Sequence, residues 1–162
     1  MPRYDRLRIA LARLFAWLLF TGGLAGNALA AATVTITYVD IAYDRATGAS
    51  SSSELPASYV QVAVAGPGGF AESLTANADG QITTSYGGDP LDLQFTVSAR
   101  SVVGRQTVEV RAQTGVRAVH SITQSATFAG GAYTVAISDP AIAPALNICD
   151  VLCDGYAALT GT

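Results

Sequence analysis

The sequence contains no lysine, one histidine and two cysteines, and this scarcity excludes several kinds of site. With His120 as the only imidazole, a histidine-rich zinc site and an HExxH peptidase motif are both impossible within these residues. A Ser-His-Asp triad would have to use His120, and no GxSxG string supplies its nucleophile. We therefore predict no catalytic residue, and a protein that is not an enzyme.

The remaining candidates for metal or cofactor binding are weak. His120 is in phase with Val116, Ile122 and Phe128, which favours an imidazole at the edge of the core over a catalytic one. Because no DxDxDG-like string groups the aspartates near predicted strand ends, turn chemistry explains them better than calcium binding. These aspartates are Asp40, Asp44, Asp79, Asp89 and Asp92. We predict no metal ligand and no cofactor.

The first 30 residues have the pattern of a secretory signal peptide. Arg3, Arg6 and Arg8 precede the apolar stretch "IALARLFAWLLFTGGLAG", and the small residues of "NALAAA" follow it. This order predicts cleavage after Ala30 and a secreted, periplasmic or cell-surface protein. The alternative is an uncleaved anchor, through which alone the protein would contact a membrane. The apolar run after Arg13 is shorter than the roughly 20 residues that a span needs, which favours cleavage.

Removal of this segment makes the net charge of the protein more negative. Residues 31–162 carry five arginines and eleven acidic residues, a net charge of −6. Nucleic-acid binding depends on neutralising phosphates with basic side chains, so we exclude nucleic acid as a partner. The 132 residues that remain are enough for one domain with a single core.

Apolar residues alternate with polar ones along most of residues 31–140. About seven short strands, turn signals between them and no helical period before residue 140 predict an all-β fold, an antiparallel two-sheet sandwich of Ig-like type. The Asp79-Gly80 pair predicts a tight turn with positive φ. The polar stretch "RATGASSSSELPAS" is interpreted as a long loop or a flexible hairpin. The alternation predicts a core of Val34, Ile36, Val60, Val62, Val64, Leu93, Phe95, Val97, Val108, Val110, Tyr133, Val135 and Ile137.

Two further predictions concern individual strands. In "TVTITYVDIAY" the apolar phase changes at Tyr38, which predicts a β-bulge or a strand that passes between sheets. In "RQTVEVRA" the residues Arg105, Thr107, Glu109 and Arg111 alternate with valines and are interpreted as a solvated face.

The C-terminal stretch "ALNICDVLCDGYAALTGT" has a helical period instead. Ala145, Ile148, Cys149, Leu152, Tyr156 and Leu159 recur at the spacing of one helix face. We expect an amphipathic helix, weakly held, that buries Ile148, Leu152, Tyr156 and Leu159 only in part. Cys149 and Cys153 are interpreted as two reduced thiols on this stripe, because Cβ vectors four residues apart on a helix are poorly directed for a disulfide. A disulfide and a metal site remain the alternatives.

The runs "ELPASYVQVAVAG", "LTANADGQITTSY" and "LDLQFTVSAR" together resemble the transthyretin-like or carboxypeptidase-regulatory-like module. The resemblance covers Thr33 to about Ser138 and implies a β-sandwich. It departs from the family at "QITTSYGGDP", where an aromatic soon after the turn glycine and a P-x-G-x-Y step are usual.

A second resemblance lies in "APALNICDVLCDGYAAL". It is similar to the helix that joins such a sandwich to a zinc metallopeptidase-like domain in exported bacterial proteins. This resemblance implies that residues 141–162 are a linker and the first helix of a domain that the sequence does not contain. No zinc ligand or catalytic glutamate of that domain is present to carry over.

The expected role is an exported, non-catalytic accessory module, the N-terminal fragment of a larger secreted or surface protein of metallopeptidase type. Its partner would be a downstream catalytic domain or a component of the cell surface. The alternative is a self-contained adhesion or carbohydrate-binding domain. An exposed row of aromatics would favour sugar binding, and Tyr43, Tyr59 and Tyr86 are the candidates for it.

Overall fold

A computed structural model of the chain describes residues 31–103, 106–113 and 117–160. The predicted signal segment 1–30 lies outside the described residues, as do Arg105 and Val116. The described part contains eleven strands and one long helix. The strands are β1 Ala32–Tyr43, β2 Ser50–Pro56, β3 Gln61–Ala65, β4 Ala71–Thr75, β5 Gln81–Thr84, β6 Gln94–Ser98, β7 Arg100–Val103, β8 Gln106–Glu109, β9 Ser121–Ser125, β10 Thr127–Ala129 and β11 Ala132–Ile137; the helix is α1 Ala143–Thr160.

The prediction of a mostly β protein with one C-terminal helix is confirmed, but about seven strands was too few. β6 is followed after Ala99 by a further strand, β7, and the two pair in different sheets. The Ser-rich stretch is a hairpin, because Ser50–Pro56 pairs antiparallel with the second half of β1. Serine is a poor strand former in isolation, so this strand depends on its partner.

The strands form two larger sheets and one two-stranded ribbon. The first sheet has the order β10-β11-β1-β2, with β5 also paired to β1, and the second has the order β4-β3-β6-β9. β7 and β8 pair with each other. The expectation of purely antiparallel pairing was wrong at one place, since β1 and β11 run parallel from Val34↔Tyr133 to Tyr38↔Ile137. A period of two is common to both pairing directions, so alternation alone does not distinguish them.

β1 changes partner along one edge at Ile36. Its N-terminal part pairs with β5 and its C-terminal part with β2. At the change, the Ile36 N–H donates to the Gly80 carbonyl (2.8 Å) and the Ile36 carbonyl accepts from Ala57 N–H (2.9 Å). Gly80 has φ +69°, and a Cβ there would lie 2.5 Å from the Ile36 oxygen. The predicted turn at Asp79-Gly80 is therefore present, and only glycine fits this close approach.

The predicted bulge at Tyr38 is absent. The registers of β1 with β2 and with β11 run without an extra residue through this region, and β1 stays in one sheet. Val34, Ile36 and Tyr38 are buried, whereas Ile41 and Tyr43 on the opposite side of the strand are 64% and 65% exposed. The change of phase therefore marks the point where β1 leaves the core with apolar side chains facing outward.

Both larger sheets contribute to one core. Ten of the thirteen predicted core residues are fully or almost fully buried, and Val108, Val110 and Tyr133 pack against the cluster at its margin. Val108 and Val110 belong to β8 and the segment after it, where a ribbon of two strands covers only part of each side chain. The core also receives residues outside the predicted list, among them Tyr38 and several side chains of α1.

The helix predicted at the C-terminus is present, but its buried side differs from the predicted one. Leu146, Cys149 and Cys153 are fully buried and belong to the same core as the sheets. Ile148, Val151, Leu152 and Leu159 are 51%, 63%, 51% and 88% exposed. Since apolar residues occupy both sides of the helix, their spacing did not identify the buried one.

In the described part of the chain, no helix has the length and apolarity needed to cross a membrane.

The face predicted to be solvated on β8 is an ion-pair cluster. Glu109, whose side chain is 17% exposed, contacts Arg100 Nε at 3.2 Å and also binds the guanidinium of Arg111. Arg111 donates in addition to the Arg117 carbonyl (3.1 Å). Two of the chain's few basic side chains are therefore occupied at this ribbon.

Phe95 provides a direct test of this core. It is fully buried, whereas Phe128 is 54% exposed. We expect Phe95→Ala to lower the free energy of unfolding by about 3–5 kcal/mol, because it removes a large apolar surface and leaves a cavity. The matched substitution Phe128→Ala should cost about 1 kcal/mol or less. Urea denaturation of both variants measures the difference, and equal losses would contradict the assigned core.

Candidate functional site

The candidate site lies where α1 begins beside the second half of β1. β11 ends at Ile137, and the chain turns at Asp139, whose carboxylate accepts from Ala141 N–H at 2.8 Å. The Asp139 carbonyl then accepts from the N–H groups of Ile142 and Ala143 at 3.1 and 2.9 Å. An aspartate that caps the first free amides in this way is a common start for a helix. The turn places α1 next to β1 at the point where β11 stops.

Two polar contacts connect the helix to the strand. The Asn147 side-chain amide donates to Asp40 Oδ1 at 2.7 Å. About one turn further along, Asp150 Oδ2 accepts from the Tyr38 hydroxyl at 3.3 Å. Residues three apart lie on one side of a helix, and residues two apart lie on one side of a strand, so the two contacts are in register. They fix the position of α1 along β1.

Asp150 is the most unusual ionisable group in this contact. Its Oδ1 atom is buried and has no hydrogen-bond partner among the described residues. Burial raises the pKa of Asp150 above its usual value; the Asp154 carboxylate raises it further, whereas Ser58 and the Tyr38 hydroxyl lower it. Burial and the nearby negative charges also raise the pKa of Tyr38, so its hydroxyl stays a donor. The junction thus favours a protonated Asp150 more than water does.

Both cysteines are free thiols on the buried side of α1. Burial, with a smaller contribution from Cys153, raises the pKa of the Cys149 thiol to about 12. A thiol that stays protonated is a poor nucleophile and a poor metal ligand. Both cysteines are fully buried and are not joined in a disulfide, in agreement with the interpretation as two reduced thiols on an apolar stripe.

A groove opens beside this junction. Its volume is about 320 Å³, near the lower end of the size of ligand pockets. Part of its wall comes from β1 and part from the turn and first half of α1. The lining residues are Val39, Asp40, Ile41, Ser138, Pro140, Ala143, Pro144, Asn147 and Ile148. The wall is mostly apolar, with Asp40 and Asn147 already bonded to each other.

The three tyrosines considered for sugar binding do not form a row. Tyr43 is exposed at the end of β1. Tyr59 is half-buried against the core, and so is Tyr86, whose ring lies 5.0 Å from that of Phe70. Only Tyr43 of the three is available to a ligand in the way that a stacking platform requires.

The aspartates and the histidine considered for chemistry lie apart. Asp44 and Asp89 accept backbone N–H groups two residues ahead in turns, at 2.8 and 3.0 Å, as predicted from turn chemistry. The prediction of turn chemistry was wrong for Asp40, which lies within β1 and accepts a hydrogen bond from Asn147. His120 is half-buried, and its backbone pairs with Val110 and Ala99. No group of three or more His, Cys, Asp or Glu side chains in the described ranges is arranged to hold a metal ion.

Sequence reasoning missed the pairs Tyr38–Asp150 and Asp40–Asn147. They join positions 112 and 107 residues apart, a separation over which local patterns carry no information. One signal was present: Asp150 directly follows Cys149 on a strongly apolar helix, so its carboxylate had to reach either solvent or a buried partner.

Comparison with protein-family models, with curated proteins and with solved structures finds no match to this chain. The resemblance to the transthyretin-like module therefore depends on the sequence runs that carry it, together with the mostly β fold. The site itself presents an apolar groove, a strand and an exposed apolar helix side.

We predict a distinctive pH dependence of stability from Asp150. Its pKa is higher in the folded state than in the unfolded state, so folding takes up protons. This contribution is fully present below the unfolded pKa, near 3.8, and is lost as pH rises through the folded pKa. Urea unfolding of the wild type and of Asp150→Asn between acid and neutral pH should show a difference that favours the wild type increasingly as pH falls.

The matched control is Asp79→Asn, which removes an exposed carboxylate in the β4–β5 turn. Its difference from the wild type should not follow the same trend. A wild-type advantage over Asp150→Asn that grows with rising pH would contradict the assigned environment of Asp150.

Proposed function

We propose that this chain is an exported bacterial protein in which residues 31–140 form a transthyretin-like β-sandwich that acts without catalysis. In this proposal it is the accessory module of a larger secreted or cell-surface protein of metallopeptidase type. The mostly β fold and the single core shared by the two larger sheets support the sandwich. The order of basic, apolar and small residues before Ala31 supports export.

One observation carries the accessory role. α1 buries Leu146, Cys149 and Cys153 on one side and exposes Ile148, Val151 and Leu152 by half or more on the other. Soluble proteins seldom leave a contiguous apolar surface uncovered without a binding purpose. The exposed helix side adjoins the groove, to which Ile148 itself contributes. Such a surface would hold or position a neighbouring domain.

A self-contained adhesion domain is the second candidate, and one observation favours it. The buried residues of α1 belong to the same core as the sheets, as expected of a helix that completes this domain. The carbohydrate-binding form of this alternative has less support, because Tyr59 and Tyr86 are half-buried. The two candidates differ in what the exposed side of α1 contacts.

The proposal predicts the position of the mature N-terminus and the content of the downstream DNA. Expressed in a bacterial host, the protein should be recovered outside the cytoplasm with Ala31 as its first residue, as measured by intact-mass spectrometry. An exported protein that retains Met1–Ala30 would contradict cleavage.

Translation of the DNA after the codon of Thr162 in all frames should encode a domain with an HExxH zinc motif. Its absence would favour the self-contained domain.

A further inference from the structure

The strand edge that faces the groove is open. β11 pairs with β1 only as far as Tyr38↔Ile137, after which the chain turns away toward α1. β2 occupies the other edge of β1 as far as Tyr43. No other strand in the described ranges pairs with residues 39–43 on the side that β11 has left. An edge of this length matches a typical strand.

The backbone direction along this edge follows from the neighbouring bonds. The N–H and C=O of Ile36 point to the edge shared by β5 and β2. Alternate residues of a strand point to the same edge, so Tyr38, Asp40 and Ala42 also face β2. The backbone groups of Ile41 and Tyr43 consequently point to the open edge, and Val39 and Ile41 line the groove there.

We propose that an extended, positively charged polypeptide segment adds as a strand to residues 39–43 of β1 and fills this groove. The inference deepens the accessory role proposed above by naming the chemistry of the partner. The added strand would continue the edge along which β11 already pairs, so its backbone would meet unpaired donors and acceptors. Its alternate apolar side chains would contact Ile41 and Tyr43, which are both more than half exposed.

The charges near the open edge favour a positively charged partner. β1, the hairpin turn after it and the turn before α1 carry Asp40, Asp44 and Asp139, against Arg45 in the hairpin turn. Arg100 and Arg111 are bound to Glu109 on the β7–β8 ribbon. A basic segment is therefore attracted to this edge. A second copy would bring the same carboxylates opposite one another, which opposes pairing.

The test measures binding of a labelled, blocked peptide that alternates valine with lysine and threonine to the purified protein by fluorescence anisotropy. We expect saturable binding that weakens when glutamate replaces lysine. Two further peptides carry N-methyl groups on alternate amides, one in each phase. In an added strand, only every second peptide N–H faces β1. The peptide methylated at those amides should therefore bind at least about tenfold more weakly, and the other should bind as tightly as the unmethylated peptide.

The matched protein variants are Ile41→Pro and Ile41→Ala. Proline removes the Ile41 N–H, which faces the open edge, and leaves the pairing with β2 intact, as edge strands tolerate. We expect Ile41→Pro to abolish binding and Ile41→Ala to weaken it only modestly. Because the methylated peptides act on the unmodified protein, they decide the question even if the proline variant misfolds.

Equal loss with both methylated peptides, or equal binding by the lysine and glutamate peptides, would overturn the proposal. So would self-association of the protein that the peptide displaces, since it would make a second copy the occupant. These results leave the accessory role itself untouched, because export and the downstream domain are tested separately. Conversely, the peptide results would stand if no downstream domain were found.

Discussion

The burial of one side of α1 against the sheets is the constraint on which the rest of the candidate site depends. A helix of this length is marginal in water and needs an apolar surface to cover. Leu146, Cys149 and Cys153 meet that need by entering the core beside β1. With the helix fixed in this rotation, Asn147 and Asp150 reach Asp40 and Tyr38, while Ile148 and Val151 face solvent.

The same constraint accounts for the groove and the open edge. To begin α1 next to β1, the chain must leave the sheet after Ile137, and Asp139 caps the turn that redirects it. β1 then continues past its former neighbour, so the last five residues of the strand have β2 on one edge, and the first three of them line the groove. Open strand edges in soluble proteins are usually short, charged or covered. Here Asp40 supplies a charge, and the apolar side chains around it supply a surface for a partner.

Alternation in the sequence predicted much of the core, because β-strands with one buried face specify which side chains point inward. Phe95, Val62 and Val135 are fully buried as expected, and Gly80 has the positive φ that its turn requires. The parallel pair β1–β11 and the change of partner at Ile36 were not predictable, since a period of two is the same in every ladder. The buried side of α1 was also beyond local patterns, because apolar residues surround much of the helix. The site depends on contacts between residues more than a hundred positions apart.

Whether α1 completes the core through the side assigned here can be measured with two substitutions within one turn of the helix. Leu146 is fully buried and Ile148 is half exposed, although both are large aliphatic residues. Urea unfolding should show that Leu146→Ala loses about 2–5 kcal/mol through its cavity. Ile148→Ala should lose about 1 kcal/mol or less. Equal losses, or a larger loss for Ile148→Ala, would contradict the packing of the helix and with it the groove and the open edge.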